Sequence, residues 1–337
     1  MKKGPNRRPQ GFVLVLTLWV IVIVAIAASY FGEKVASAVE LAHSARLNAQ
    51  ATIDMASSRA EVLYRLATTS LTVHGLGQGN TAIALDNRPY RGVGETLVRL
   101  QDTRGLINLN LTPDDRLVRF LGLLGVPPEQ RSHLIDTLRD YVDADKLERL
   151  NGAEEPQYLA RGLPPPTNNN LATPWEARRI VGWRDAPQLW QNGKFIDLST
   201  TSTSPGFNPN TAPFEALATF PGMTDAMART LIGLRSQTPL LHPGQFAVLT
   251  GIPEVQLDMQ LYMLPGDTLR VTQTAGHMNW ALQYSVTLTP NSDTAPWRID
   301  YFSRVSRSPT PARVPVDVLP PRSTAAPAQS PAMRYGG

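Results

Sequence analysis

Apolar residues follow three different spacings along this chain. Between Phe12 and Phe31 the apolar run is continuous: twenty residues carry no charge, and only Thr17, Ser29 and Tyr30 bear a hydroxyl. About 20 such residues are long enough to cross a bilayer as a helix. From Val35 the spacing becomes three and four, through Val39, Ala42, Ala45, Ala49, Ile53, Ala56, Ala60, Leu63 and Ala67. That period marks one helical face, and no Gly or Pro interrupts Glu33 to His74. The two patterns predict one helix from Phe12 to about Thr69, roughly 85 Å long at 1.5 Å per residue. Its alanine-rich stripe is expected to pack closely against something.

From Leu71 to Leu100 the chain is rich in glycine, and the short alternating runs Thr81–Leu85 and Thr96–Gln101 read as strands with hairpin turns. Helical patterns dominate from Asp114 to about Leu264. Their starts are Thr112-Pro113-Asp114-Asp115, Pro127-Pro128-Glu129, Thr173-Pro174-Trp175-Glu176 and Asn210-Thr211-Ala212-Pro213. After Gly266 the spacing falls to two, over Leu269–Val271, Leu282–Leu288 and Trp297–Phe302, with a turn at Asn291-Ser292-Asp293. The fold class is α+β: a long N-terminal helix on an antiparallel sheet, with a large all-α domain inserted. The expected divisions are 1–11, a leader; 12–31, a membrane span; 32–110, the rest of the helix and the first strands; 111–265, the helical insert; 266–305, the closing strands; and 306–337, a Pro/Ala/Ser-rich tail without regular structure.

Charge and composition narrow the function. Lys2, Lys3, Arg7 and Arg8 precede the apolar run and should hold the N-terminus in the cytoplasm. They also account for all of the formal net charge of +4, so the basic balance is weak evidence for nucleic-acid binding. With no cysteine, thiol catalysis and cysteine-based zinc sites are excluded. His43, His74, His133, His242 and His277 are scattered, and no metalloprotease, serine-hydrolase or phosphate-loop motif is present. The chain therefore reads as non-enzymatic.

Two stretches carry candidate chemistry. Asp140, Asp143, Asp145, Asn151 and Glu154 lie where a helix runs into a polar loop. Counted from Asp143, oxygen ligands fall at EF-hand positions one, three, nine and twelve, but Leu147 and Glu148 stand where a ligand and a glycine are required. The loop is not an EF-hand, yet its oxygen-rich character suits a hard cation such as calcium; the alternative is a solvated loop whose carboxylates bond local backbone. The second stretch, Leu217 to Ile232 around Pro221-Gly222, resembles a helix-hairpin-helix, repeated more weakly at Thr250–Pro253. In DNA-binding examples such a hairpin grips phosphate with backbone amides. Only Arg229 and Arg235 lie near it, with Asp225 opposing them, so a structural hairpin is favoured.

A basic leader ending in Gly11, then Phe12 and an apolar helix, resembles a class III signal, which prepilin peptidase cuts on the cytoplasmic side. Leu16 stands where most pilins and pseudopilins carry Glu as the fifth mature residue. Three further stretches, Asp102–Asn110, Asp140–Tyr158 and Phe207–Leu217, resemble signatures of the K-type minor pseudopilins of the type II secretion system, with Tyr141 where that pattern has Trp. The resemblance implies a pilin-like fold, cleavage between Gly11 and Phe12, and an inner-membrane protein with a periplasmic head. It implies calcium at Asp140, Asp143, Asp145, Asn151 and Glu154. It also implies the other minor pseudopilins of a tip complex, the major pseudopilin and prepilin peptidase as partners, with no nucleic acid. The missing Glu suits one special place in a filament. A membrane-anchored periplasmic DNA-binding protein and an unprocessed, anchored periplasmic enzyme are the competing readings.

Overall fold

Helix α1 spans Gly11–Thr68 without a break. It belongs to a computed structural model that describes residues 11–253, 260–276, 278–307 and 316–320. Among the described residues α1 is the one helix long and apolar enough to cross a membrane. The chain divides into two compact units, one ending at Ile53 and the other beginning at Asp54.

In the second unit α1 buries Met55, Ser58, Val62 and Leu66. This is not the alanine stripe: Ala56, Ala60 and Ala67 are exposed and Leu63 is half-buried. The reason is area. Burying a Met, Val or Leu side chain is worth about 1.5–3 kcal/mol, and an alanine methyl offers far less. Ser58 joins the buried face because its hydroxyl accepts the Val93 N–H at 2.8 Å, fixing α1 to the turn between two strands.

After α1 come β1 (Leu71–Thr72) and β2 (Gly75–Leu76), then β3 (Asp86–Arg91), β4 (Leu97–Asp102) and β5 (Ile107–Asn108). The strand expected at Thr81–Leu85 is absent. A 3-10 turn closes at Thr81, Ile83 makes one bridge to Leu76, and the Tyr90 hydroxyl accepts the Ala84 N–H at 2.7 Å, which takes that group out of any ladder. The helices follow: α2 (Asp114–Leu123), α3 (Pro128–Val142), α4 (Glu155–Ala160), α5 (Pro187–Trp190) and α6 (Lys194–Leu198). Next are the short strand β6 (Ser199–Thr200) and helices α7 (Phe214–Ala218), α8 (Asp225–Arg235) and α9 (Pro243–Thr250). Pro113 rather than Thr112 occupies the cap of α2, and the start at Thr173 opens a 3-10 helix, Pro174–Arg179. Residues 254–259, expected to be helical, lie outside the described residues.

Strands β7 (Thr268–Thr274), β8 (Trp280–Leu288) and β9 (Trp297–Ser306) return the chain to the sheet, and β10 (Asp317–Val318) ends it. The order is β10-β3-β4-β7-β8-β9, antiparallel throughout except for β10 beside β3. Part of the tail expected to lack structure is thus a strand. Arg65 donates to the Pro320 carbonyl at 2.8 Å, and Leu319 packs on the sheet's apolar cluster.

The sheet has two unlike faces. Val98, Leu100, Leu269, Val271, Tyr284 and Val286 form an apolar core with Val62 and Leu66 of α1. The opposite face is polar, buried and hydrogen-bonded to the helical segment. Gln101 donates to the Thr211 carbonyl at 3.0 Å, and Arg270 donates to the carbonyls of Ile196 (2.6 Å), Ser199 (3.0 Å) and Asp197. Buried guanidinium groups are tolerated only when their donors are matched in this way. A second, larger apolar core, from Ile107 to Met263, belongs to the helical segment.

Candidate functional site

Two of the three signature stretches meet on one carboxylate. Asp102 closes β4 and is fully buried. Its Oδ2 accepts from Asn208 Nδ2 (2.8 Å) and Thr211 Oγ1 (2.9 Å), and its Oδ1 from the N–H groups of Arg104 (3.1 Å) and Gly266 (3.0 Å). Burial pushes this carboxyl up, and the four donors pull it back. The neighbouring asparagines act as clamps. Asn110 bonds both the N–H (2.9 Å) and the carbonyl (3.1 Å) of Leu171, and Asn210 does the same for Leu240 (2.8 and 2.9 Å). These motifs hold the helical segment together and leave no reactive group open.

The acidic loop is different. Asp140, on the last turn of α3, has no exposed surface, and its Oδ2 accepts the N–H groups of Ala153 (2.9 Å) and Arg149 (3.2 Å). The loop is wrapped so tightly on this carboxylate that a Cβ at Gly152 would lie 1.8 Å from Asp140 Oδ2. Asp143 Oδ1 and Glu154 Oε1 are buried without a hydrogen-bond partner. All three carboxyls are pushed up, by burial first. The Arg149 and Ala153 N–H groups pull Asp140 back, and Asp143 adds a smaller upward push; Asp145 acts on Asp143, and Asp140, Asp143 and Asp145 all act on Glu154. Orphaned oxygens among carboxylates that repel one another are what a hard cation relieves. Among the described residues no three acidic or histidine side chains converge closely enough to hold an ion.

Two of the five expected residues lie less close to this cluster. Asn151 turns its amide to Asp136 Oδ2 (3.0 Å), and its carbonyl accepts from His133 Nδ1 (2.6 Å). Asp145 is exposed and its Oδ1 accepts the Leu147 N–H at 2.8 Å. One residue escaped the sequence reading. Asn168 has φ +49°, and its Oδ1 is buried without a partner. Its Nδ2 donates to the Asp145 carbonyl at 3.3 Å, and it lines a cleft of about 480 Å³ with Glu148 and Glu154. The signal available was an asparagine in a left-handed turn inside Pro164–Asn170, which sequence spacing does not connect to Asp143.

The hairpin at Pro221-Gly222 forms as expected, between α7 and α8, with Gly222 at φ +80°. Thr224 caps α8 by accepting the Met227 N–H at 3.2 Å. Its cations are engaged within the protein. Arg229 pairs with Asp225 at 3.4 Å, and Arg235 is half-buried, donates to the Pro209 carbonyl and is lowered to about 10 by desolvation. At the N-terminus, Phe12 and Leu16 are exposed on α1 and Gly11, the last residue of the expected leader 1–11, is the helix's first residue, while residues 1–10 lie outside the described residues.

Residues 97–191 match the family described as type II secretion system (T2SS), protein K. A curated relative, the type II secretion system protein K of Klebsiella pneumoniae, is 25% identical over 202 residues. That match covers 54% of this chain and 60% of the relative's own length. Among solved structures, a chain of the GspK-GspI-GspJ complex from the type 2 secretion system of enterotoxigenic Escherichia coli aligns with a TM-score of 0.53 at 17% identity. It covers 79% of this chain and 99% of the other, which establishes a shared fold. Over residues 97–191 the chain is thus similar in sequence to the type II secretion system protein K family, and it shares the fold of a chain of the GspK-GspI-GspJ complex.

Proposed function

We propose that this protein is a non-enzymatic minor pseudopilin of the type II secretion system, placed at the pseudopilus tip and supporting export of folded proteins across the outer membrane. The observation that carries this reading is α1: one helix with an apolar first stretch, lacking a carboxylate at Leu16, in a chain whose residues 97–191 match the protein K family. A carboxylate in hydrocarbon is costly unless paired, so a subunit without one needs no partner amine below it. Prepilin peptidase cuts between Gly11 and Phe12, the N-terminus is cytoplasmic and the head periplasmic. The partners are the other minor pseudopilins, of the kind found with GspK in the GspK-GspI-GspJ complex, and the major pseudopilin. The alanine face left open at Ala56, Ala60 and Ala67 suits close helix packing with them.

Calcium belongs to the same proposal. Asp143 Oδ1 and Glu154 Oε1 offer unpartnered oxygens near the buried Asp140, and Asn168 Oδ1 offers another in the cleft it lines with Glu154. Bound there, the ion would neutralise the carboxylates and fix the loop. Intact-mass analysis of the protein from its host tests the reading: Phe12 is expected as the first residue, and a mature start near Ser29, or an uncleaved Met1, overturns it.

A further inference from the structure

A groove of about 650 Å³ opens on the helical segment, at the opposite end of α4 from the acidic loop. Its lining carries Arg161, Arg178, Arg179 and Arg184 against a single carboxylate, Asp185. All four arginines are exposed, and none forms an ion pair or a side-chain hydrogen bond with a described residue. The nearby Glu176 is already used, since its Oε1 accepts from the Tyr141 hydroxyl at 3.3 Å and its Oε2 from the Ala172 N–H at 2.9 Å. Arg178 is held in place by two indoles, 4.5 Å from the Trp190 ring and 5.3 Å from the Trp175 ring, which stack on each other at 6.4 Å. A guanidinium ordered in advance loses less rotamer freedom when it binds. Among the cations half-buried Leu163 offers an apolar side chain in an otherwise mainly polar lining.

We infer that this groove docks an acidic protein segment: an extended stretch whose carboxylates pair with Arg179 and Arg184 while an apolar residue rests on Leu163. The planar guanidinium fork matches carboxylates in a bidentate manner. Nucleic acid fits poorly, because base stacking needs open aromatic faces and both indoles are occupied by each other and by Arg178. A lipid surface fits poorly as well. It needs projecting apolar side chains among the cations, and Ile180 and Val181 are buried. The groove is independent of the pseudopilin reading, since none of its residues takes part in processing or in the α1 faces.

The test uses the full chain in detergent and a fluorescent peptide alternating Glu and Leu, read by anisotropy. Binding is expected, weakening as salt is raised, and absent for the peptide with Gln in place of Glu. Arg179→Glu with Arg184→Glu should weaken binding by about tenfold or more. Arg179→Gln with Arg184→Gln should weaken it less and decides the matter if the reversed pair fails to fold. Arg119→Glu on α2 should change nothing. Equal binding of the Gln peptide, or undiminished binding by the double variants, overturns the inference. Tighter binding of oligo-dT or of phosphatidylglycerol vesicles than of the acidic peptide overturns it too.

Discussion

Two hairpins in the helical segment are built on one plan and end differently. Ile107, Asn108, Asn110, Pro113, Leu117 and Phe120 are matched by Phe207, Asn208, Asn210, Pro213, Leu217 and Phe220, each 100 positions later. In both, the N–H of the second asparagine is held by the side chain of the first at 3.0 Å. In both, the second asparagine clamps the backbone of a leucine further along. The difference is how far the chain travels before that clamp. After α8 it goes from Arg235 only to Leu240; after α3 it goes from Val142 to Leu171. Asp143, Glu154, Asn168 and Arg161 all lie in that longer excursion. The shared asparagines are architecture, and the candidate chemistry sits in what one copy adds to it.

The sharpest way to break this comparison is at the carboxylate both stretches share in building. Asp102→Ala leaves the donors of Asn208, Thr211, Arg104 and Gly266 buried without an acceptor. A loss on the order of 3 kcal/mol is expected in urea unfolding; a loss below about 1 kcal/mol would show that the hub is dispensable. Next come the clamps. Asn110→Ala and Asn210→Ala should each cost about 1–3 kcal/mol and by similar amounts, and a large inequality would end the equivalence of the two hairpins. Gly152→Ala touches the first hairpin alone. The new Cβ meets Asp140 Oδ2, so about 1–3 kcal/mol of stability should go, together with any calcium-dependent rise in Tm.

The smallest effect is the pH response. Asp140, Asp143 and Glu154 have folded pKa values raised above their unfolded ones, so the native state holds protons more tightly. Their ionisation costs stability at neutral pH. That cost is recovered as pH falls through the raised values toward about 4, the unfolded carboxylate range. In chelator, mild acidification should therefore raise Tm in the wild type relative to Asp143→Asn with Glu154→Gln, by on the order of 2 °C. Calcium at neutral pH should raise the wild-type Tm by mass action and flatten the difference. Identical melting curves with calcium and with chelator would leave the loop as a plain set of carboxylates.

The sequence made some of this readable. Strands β7, β8 and β9 alternate cleanly because one face is apolar, and α1 has nothing to interrupt it. Strand β3 was hidden because Asp86, Asn87 and Pro89 are poor strand residues; pairing with β4 imposes the strand, with a bulge between Asp86 and Pro89. Which face of α1 meets the head is not legible because alanines recur on more than one side, and period alone does not choose among sides. The acidic loop was visible as a cluster of oxygens. Asn168 was not, since only the fold brings a turn after three prolines beside Asp145. The arginine groove joins Arg161, at the C-terminal cap of α4, to the end of the 3-10 helix Pro174–Arg179 and the turn after it, a juxtaposition with no sequence period.

The sheet's two margins are unequal. On one side, β3 contains Pro89, which has no N–H to give, and β10 already occupies Tyr90 and Arg91. On the other, β9 offers Trp297–Ser306, paired among the described residues only with β8. Strand-to-strand addition can propagate only through subunits that present two free margins. Among the described residues the sheet thus offers one long margin, β9, to which a further strand could add, and only the two-residue β10 at the other.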